Sequence, residues 1–296
     1  MAQRDNDKYP AETGRRRFVK GVVGAASLGA VATGTGVATT SLTSSSGEGG
    51  GLTKYRAIEN TGGPAPRGMP QIPIEIGNNG EIIGRWPEPK EVQQGGKTIT
   101  VAETNIGGVT YSTEWFQYCG VQTYEGIDPE ADQDNVFKSA PSPNYEWQSS
   151  ELSGGDPLTI DNFSDYEDWG NDIGKSGLGK PADATWRSQN TETSIPVQVL
   201  RSKRIEEMAK NDQWLEASTD QGVIAWLNKC THFCCVPGYK AFEGSARFGA
   251  ENEVYCQCHQ SVYNPFSIIE TTFTSLPRPA DDSSSESEDS GGSGGE

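Results

Sequence analysis

Cys230-Thr231-His232-Phe233-Cys234-Cys235, answered downstream by Cys256-Gln257-Cys258-His259-Gln260-Ser261, is the pair of stretches on which the reading of this chain turns. The first supplies a Cys-x-His pair and the second a Cys-x-x-His pair. From His232 to Cys256 is a step of 24 positions, room for a hairpin and a loop. The chain has 2 histidines in 296 residues, and both stand inside these boxes. Two thiolates and two imidazoles suit iron or zinc and do not suit a hard cation. A structural Cys2His2 zinc site is one reading of the four donors. Ordinary zinc fingers, however, pair Cys with Cys and His with His, whereas each box here supplies one of each. Each box also carries a spare thiol, Cys235 and Cys258, which zinc would not need.

The boxes resemble those of the Rieske iron-sulfur proteins, in particular the quinol-oxidising type of cytochrome bc complexes. In a Rieske centre two histidines replace two cysteines on one iron of a 2Fe-2S cluster, which raises its potential. The resemblance implies that Cys230 and Cys256 hold one iron and that His232 and His259 hold the other. It implies a disulfide between Cys235 and Cys258 that ties the two loops together. It also implies hydroxyl donors at Ser261 and Tyr263, to a bridging sulfide and a cysteine sulfur. Such hydrogen bonds favour the reduced cluster and raise its potential. The likeness covers 222–266 closely and 195–280 loosely. Cys234 and Gln260 stand where the family usually has Gly, and Gln257 where it has Pro. Gly at such places serves a positive φ or a close backbone approach.

The implied fold is all-β, a Rieske-type antiparallel β sandwich over 72–280 with a smaller cluster-binding subdomain at 222–266. The implied function is electron transfer with no covalent chemistry by side chains. Electrons would pass from quinol, beside a cytochrome b-type membrane subunit, to an external copper protein or cytochrome. His259 or His232 would present its unbound ring nitrogen to quinol and take a proton as the electron arrives. A Rieske subunit of another exported oxidoreductase, of the arsenite oxidase or nitrate reductase type with a molybdenum partner, is an alternative. A zinc-stabilised secreted domain is another. With no third histidine, the chain offers no mononuclear iron site of the oxygenase kind. Two cysteines remain, Cys119 and Cys234. They form either a second bridge from the preceding β region to the first box, or two isolated buried thiols.

Arg15-Arg16-Arg17-Phe18-Val19-Lys20 resembles a twin-arginine export signal, and no charge occurs from Gly21 to Ser46. That pathway moves folded proteins, which suits a cluster assembled before export. Ala30-Val31-Ala32 has the look of a cleavage site, yet the uncharged run is long enough to span a bilayer. The expectation is a retained N-terminal transmembrane helix within 1–42, a single-pass anchor in the cell membrane. Basic residues 15–20 on the inside would place the cluster domain on the outer face. A flexible linker is expected over 43–71, Gly and Ser rich at its start.

The formal charge of -17 repels nucleic-acid phosphates and argues against such a partner. Residues 1–20 are net basic and 281–296 hold acids without bases, so the bulk of the negative charge lies between them. An acidic body with few bulky aliphatics resembles proteins of halophilic archaea, where salt screens charge within a few Å.

Ile72–Ile76 and Glu81–Ile83 flank Asn78-Asn79-Gly80, a hairpin signal. Thr98–Ala102, Val109–Tyr118, Ile195–Leu200, Val223–Leu227, Glu253–Tyr255 and Ile268–Phe273 read as strands, and Ser202–Leu215 as a short helix. Residues 125–190, acidic and Gly rich with Trp147, Trp169 and Trp186, read as a solvated insertion without calcium-loop spacing. Phe233 reads as a shield for the cluster or as core packing. Ser275-Leu276-Pro277-Arg278-Pro279 resembles the proline-rich loop that covers Rieske clusters. The tail 281–296 is expected to be disordered.

Overall fold

The computed structural model describes residues 51–275 apart from 88, 95–96, 122–132, 190 and 192. The anchor expected within 1–42 and the tail expected at 281–296 lie outside the described residues. Among those described, no helix is long and apolar enough to cross a membrane.

Nine strands make one antiparallel sheet. Across it run β12 (Gly238–Tyr239), β13 (Val254–Cys256), β14 (Ser261–Ser275), β1 (Gly51–Gly62) and β2 (Met69–Ile72). It continues with β11 (Val223–Leu227), β10 (Ile195–Arg201), β9 (Lys180–Trp186) and β8 (Lys138–Ser139). A hairpin of β3 (Ile74–Ile76) and β4 (Ile82–Gly84) and a meander of β5 (Pro89–Gln94), β6 (Lys97–Ile106) and β7 (Val109–Ser112) stand beside it. Three short helices, α1 (Glu146–Glu151), α2 (Lys203–Ala209) and α3 (Gln213–Ser218), complete the described part. The class is all-β, as expected.

Local sequence explains the main elements. The run Val-Ile-Ala-Trp-Leu of β11 is buried at every position, as an unbroken apolar strand inside a sheet must be. In β1 the buried Thr53, Tyr55 and Ala57 alternate with Leu52, Lys54 and Arg56, the period of a strand with one covered face. A register shift at Ile58/Glu59 ends that alternation. The Asn78-Asn79-Gly80 turn forms as expected, with Ile76 paired to Ile82 and Gly80 at φ 80°. Ser202 and Asp212 cap α2 and α3 by accepting from Arg204 N–H and Leu215 N–H. The single helix expected over 202–215 is therefore two.

Three expectations need correction. The linker drawn over 43–71 stops by Gly51, because β1 and β2 occupy most of 51–72. The Gly-Ser composition of its start masks the alternation that begins at Leu52. The strand expected over 109–118 ends at Ser112, and a 3-10 turn over Thr113–Phe116 buries Trp115 and Phe116. The described residues within 125–190 do not form a separate solvated insertion: β8 and β9 belong to the main sheet, and Trp186 and Phe163 are fully buried. Several of their buried polar groups are paired. Lys180 Nζ meets Asp165 at 2.7 Å and lies 4.0 Å over the Trp147 ring. Asp183 accepts from Asn144 N–H at 2.8 Å and Gln198 Nε2 at 2.9 Å. Burial pushes the Asp183 carboxyl up, and the Asn144 and Gln198 donors oppose that rise.

Candidate metal centre

The first box leaves the end of β11. Asn228 N–H donates to Pro196 O at 2.9 Å, and its Nδ2 donates to Pro237 O at 2.8 Å, so both ends of the loop are pinned to the sheet. Cys230 N–H donates to Cys235 O at 2.7 Å and Cys234 N–H to Cys230 O at 2.9 Å, which folds the six residues back on themselves. The turn requires Cys234 at φ 62°. The second box is the tip of the β13–β14 hairpin. Cys256 pairs with Ser261, Gln260 N–H donates to Cys256 O at 2.8 Å, and Gln260 has φ 64°. Cys234 and Gln260 thus hold the left-handed backbone that glycine adopts without strain. Each non-glycine residue held there costs about 1 kcal/mol.

In sheet order β11 and β13 are four steps apart, which at about 4.8 Å a step is ~19 Å on a flat sheet. The Cys230 and Cys256 sulfurs nevertheless share a hydrogen bond. The sheet closes that gap by curling at β2, which pairs through two residues with β1 and two with β11.

The expected donors stand in two loops joined by the Cys235–Cys258 bridge. Cys230 and Cys256 are free thiols, both buried. His232 and His259 lie with ring centroids 4.8 Å apart and planes at 87°. His232 is half-buried and His259 exposed. Nδ1 of His232 is buried and has no hydrogen-bond partner among the described residues. A buried imidazole nitrogen without a partner is costly unless something else binds it. Phe233 lies 4.3 Å from the His232 ring and 5.1 Å from that of His259, and is 65% exposed. It covers the imidazoles and is not core.

Hydroxyls face the sulfur pair. Tyr263, buried, donates to Cys230 Sγ at 3.2 Å and accepts from Thr231 N–H at 3.2 Å. Burial first, and the contact with Cys230 second, push the Tyr263 hydroxyl well above the phenol range, so it stays a donor. The hydrogen bond from Cys256 holds the Cys230 thiol below its ordinary value; Tyr263, the His232 N–H and Ser261 add to this, against burial. The same contact, with burial, pushes the Cys256 thiol up. Ser261 is fully buried, and its Oγ also accepts from Ala65 N–H at 3.2 Å.

That last contact belongs to an element the sequence reading missed. Residues 62–68, Gly-Gly-Pro-Ala-Pro-Arg-Gly, run between the boxes. Thr231 Oγ1 donates to Arg67 O at 2.6 Å on one side, and Ala65 meets Ser261 on the other. Gly63 sits at φ 78°, where a Cβ would stand 2.6 Å from Ser261 Cα, so only glycine lets the strap approach. Two prolines between glycines were the available signal, absorbed into the linker. Ser275, where the proline-rich cover was expected to start, pairs with Gly51 at the opposite end of β14 from Ser261. Residues 276–279 lie outside the described residues.

Two bridges lock the boxes. Cys235–Cys258 joins them to each other, with Cα atoms 6.6 Å apart. Cys119–Cys234, with Cα atoms 5.5 Å apart, ties the first box to the turn after β7. Lys229 Nζ donates to Cys119 O at 3.3 Å and Tyr118 Oη to Lys229 O at 2.9 Å beside it. The sulfurs of Cys235, Cys256 and Cys258 gather within 4.8 Å of one another. Two of these three are bonded together, so the thiols left to ligate are Cys230 and Cys256. No protein-family model, curated protein or solved structure matches this chain. The donor set itself, two free thiols and two imidazoles with one buried nitrogen unpartnered, fits a thiophilic transition metal.

Proposed function

We propose that the chain is a Rieske-type electron carrier, the membrane-anchored iron-sulfur subunit of a quinol-oxidising, cytochrome bc-type complex. In this reading Cys230 and Cys256 hold one iron of a 2Fe-2S cluster and His232 and His259 hold the other. The observation that carries it is the buried, unpartnered Nδ1 of His232, in the loop that also carries the free thiol of Cys230, while the other box cysteines are consumed in bridges. When bound, such a cluster supplies one-electron chemistry.

The chain's own residues do the rest. Tyr263 and Ser261 aim hydroxyls at the Cys230 sulfur, which favours the more negative, reduced state. The bridges and the 62–68 strap hold the donors in place and limit reorganisation. His259, the exposed histidine, is the one placed to meet a hydrogen-bonding quinol and to carry its proton. Phe233 beside it offers an apolar face to a ring. The acceptor is an external copper protein or cytochrome, and the anchor is the uncharged segment within 1–42.

Purified protein analysed for iron, acid-labile sulfide and zinc, with absorption and EPR spectra of the reduced state, tests this reading. Two irons and two sulfides per chain, with an EPR signal on reduction, are expected. One zinc per chain and a silent spectrum would replace it with the zinc-stabilised domain.

A further inference from the structure

We propose that the two loops carry a second chemistry, an intramolecular thiol–disulfide exchange between Cys256 and the Cys235–Cys258 bridge. The three sulfurs lie within 4.8 Å of one another, and Cys256 is a free thiol whose hairpin pairing with Ser261 fixes it there. Exchange proceeds by attack of one sulfur on a disulfide sulfur, and confinement of the partners supplies a high effective concentration. Attack falls on Cys235. Cys256 and Cys258 are separated by one residue in a hairpin tip tightened by the Gln260 N–H to Cys256 O bond, so a bridge between them closes a small ring. Cys235 comes from the opposite loop, and the exposed Cys258 leaves into water.

The step balances within the chain. A bond forms between Cys256 Sγ and Cys235 Sγ, and the Cys235–Cys258 bond breaks with its electron pair on Cys258 Sγ. The proton of Cys256 passes first to the Cys230 sulfur to which it is hydrogen-bonded, which frees the Cys256 thiolate to attack, and ends on Cys258. One disulfide replaces another, with no net oxidation. The functional consequence rests on the metal reading: a metal-bound Cys256 cannot attack, whereas the stripped chain exchanges a ligand thiol for an exposed one. Metal loss then releases Cys256 into the exchange, and reloading requires the exchange to run back to the Cys235–Cys258 bridge.

The test uses the full chain, treated with a chelator without reductant, incubated, alkylated with iodoacetamide and mapped unreduced by mass spectrometry. The label should start on Cys230 and Cys256 and move to Cys230 and Cys258 as a Cys235–Cys256 linked peptide accumulates. A label that stays on Cys256, with Cys235–Cys258 intact, overturns the proposal. The Cys256→Ser chain should keep Cys235–Cys258; loss of that link would assign the attack to Cys230 and overturn it too. Metal-loaded chain should show no migration. Migration in a chain that binds no metal at all would instead leave the exchange standing and sink the metal reading.

Discussion

The hydroxyl of Tyr263 points at the sulfur of Cys230 from 3.2 Å and takes the Thr231 N–H on its other side. One phenol thus ties a candidate ligand to the backbone beside it. Tyr263→Phe removes a donor to the sulfur and leaves Thr231 N–H without its acceptor. In metal-loaded protein the midpoint potential should fall by tens of mV, since about 1.4 kcal/mol corresponds to ~60 mV for one electron. Ser261→Ala should act in the same direction. Voltammetry decides, and an unchanged potential in both variants removes these hydroxyls from the tuning.

The Cys119–Cys234 bridge spans 115 residues of sequence. The chain-entropy model gives about 4–5 kcal/mol for a loop of that length, and measured bridges deliver about 2–4. Replacing both cysteines by Ser should therefore lower unfolding free energy by about 2–4 kcal/mol in denaturant titrations. A loss below about 1 kcal/mol would mean that the hydrogen bonds around Lys229 hold the first box without it.

Glu253 sits three residues before Cys256, with Glu251 beside it and Arg204 opposite. Burial, the largest influence, pushes its carboxyl up to about 7 from an ordinary 4.5. Between those values the native chain keeps a proton that the unfolded chain has released. Stability therefore falls as pH rises through that window, and the whole penalty is present above about pH 7. The group is partly solvated, so screening reduces the effect to about 1 kcal/mol. Glu253→Gln should raise Tm at pH 8 and leave it unchanged at pH 4. Equal Tm at pH 8 would refute the burial argument.

Asp183 joins α1's neighbourhood to the sheet through Asn144 and Gln198. Asp183→Ala removes an acceptor from the buried Gln198 amide and from the more exposed Asn144, and a cost of about 1–3 kcal/mol is expected. Chemical denaturation reads it directly; a cost under about 0.5 kcal/mol would return 125–190 to the status of a surface insertion.

Much of the centre was legible because its chemistry is local. A Cys-x-His and a Cys-x-x-His box, each with a spare thiol, name their donors without any fold. Both disulfides, the two free thiols at Cys230 and Cys256 and the meeting of the His232 and His259 rings follow that reading. What stayed hidden depends on long-range contact. Nothing within Gly63–Gly68 shows that its backbone will lie against Ser261, because the partner is almost 200 residues away. The polar residues of 125–190 look solvent-seeking one by one; Asp183 and Gln148 are buried because each finds partners among buried neighbours, and Lys180 because its tip still reaches Asp165 at the surface. The alternation in β1 was present at Thr53, Tyr55 and Ala57 but stood next to glycines that suggested a tether.

Gly51 pairs with Ser275 and Gly62 with Val262, so β1 and β14 form a ribbon with the boxes at one end. Twelve extended residues make it about 36 Å long. The described residues therefore begin and end side by side, so a pull applied at Gly51 or at Ser275 loads the same point, at the far end of the ribbon from Ser261.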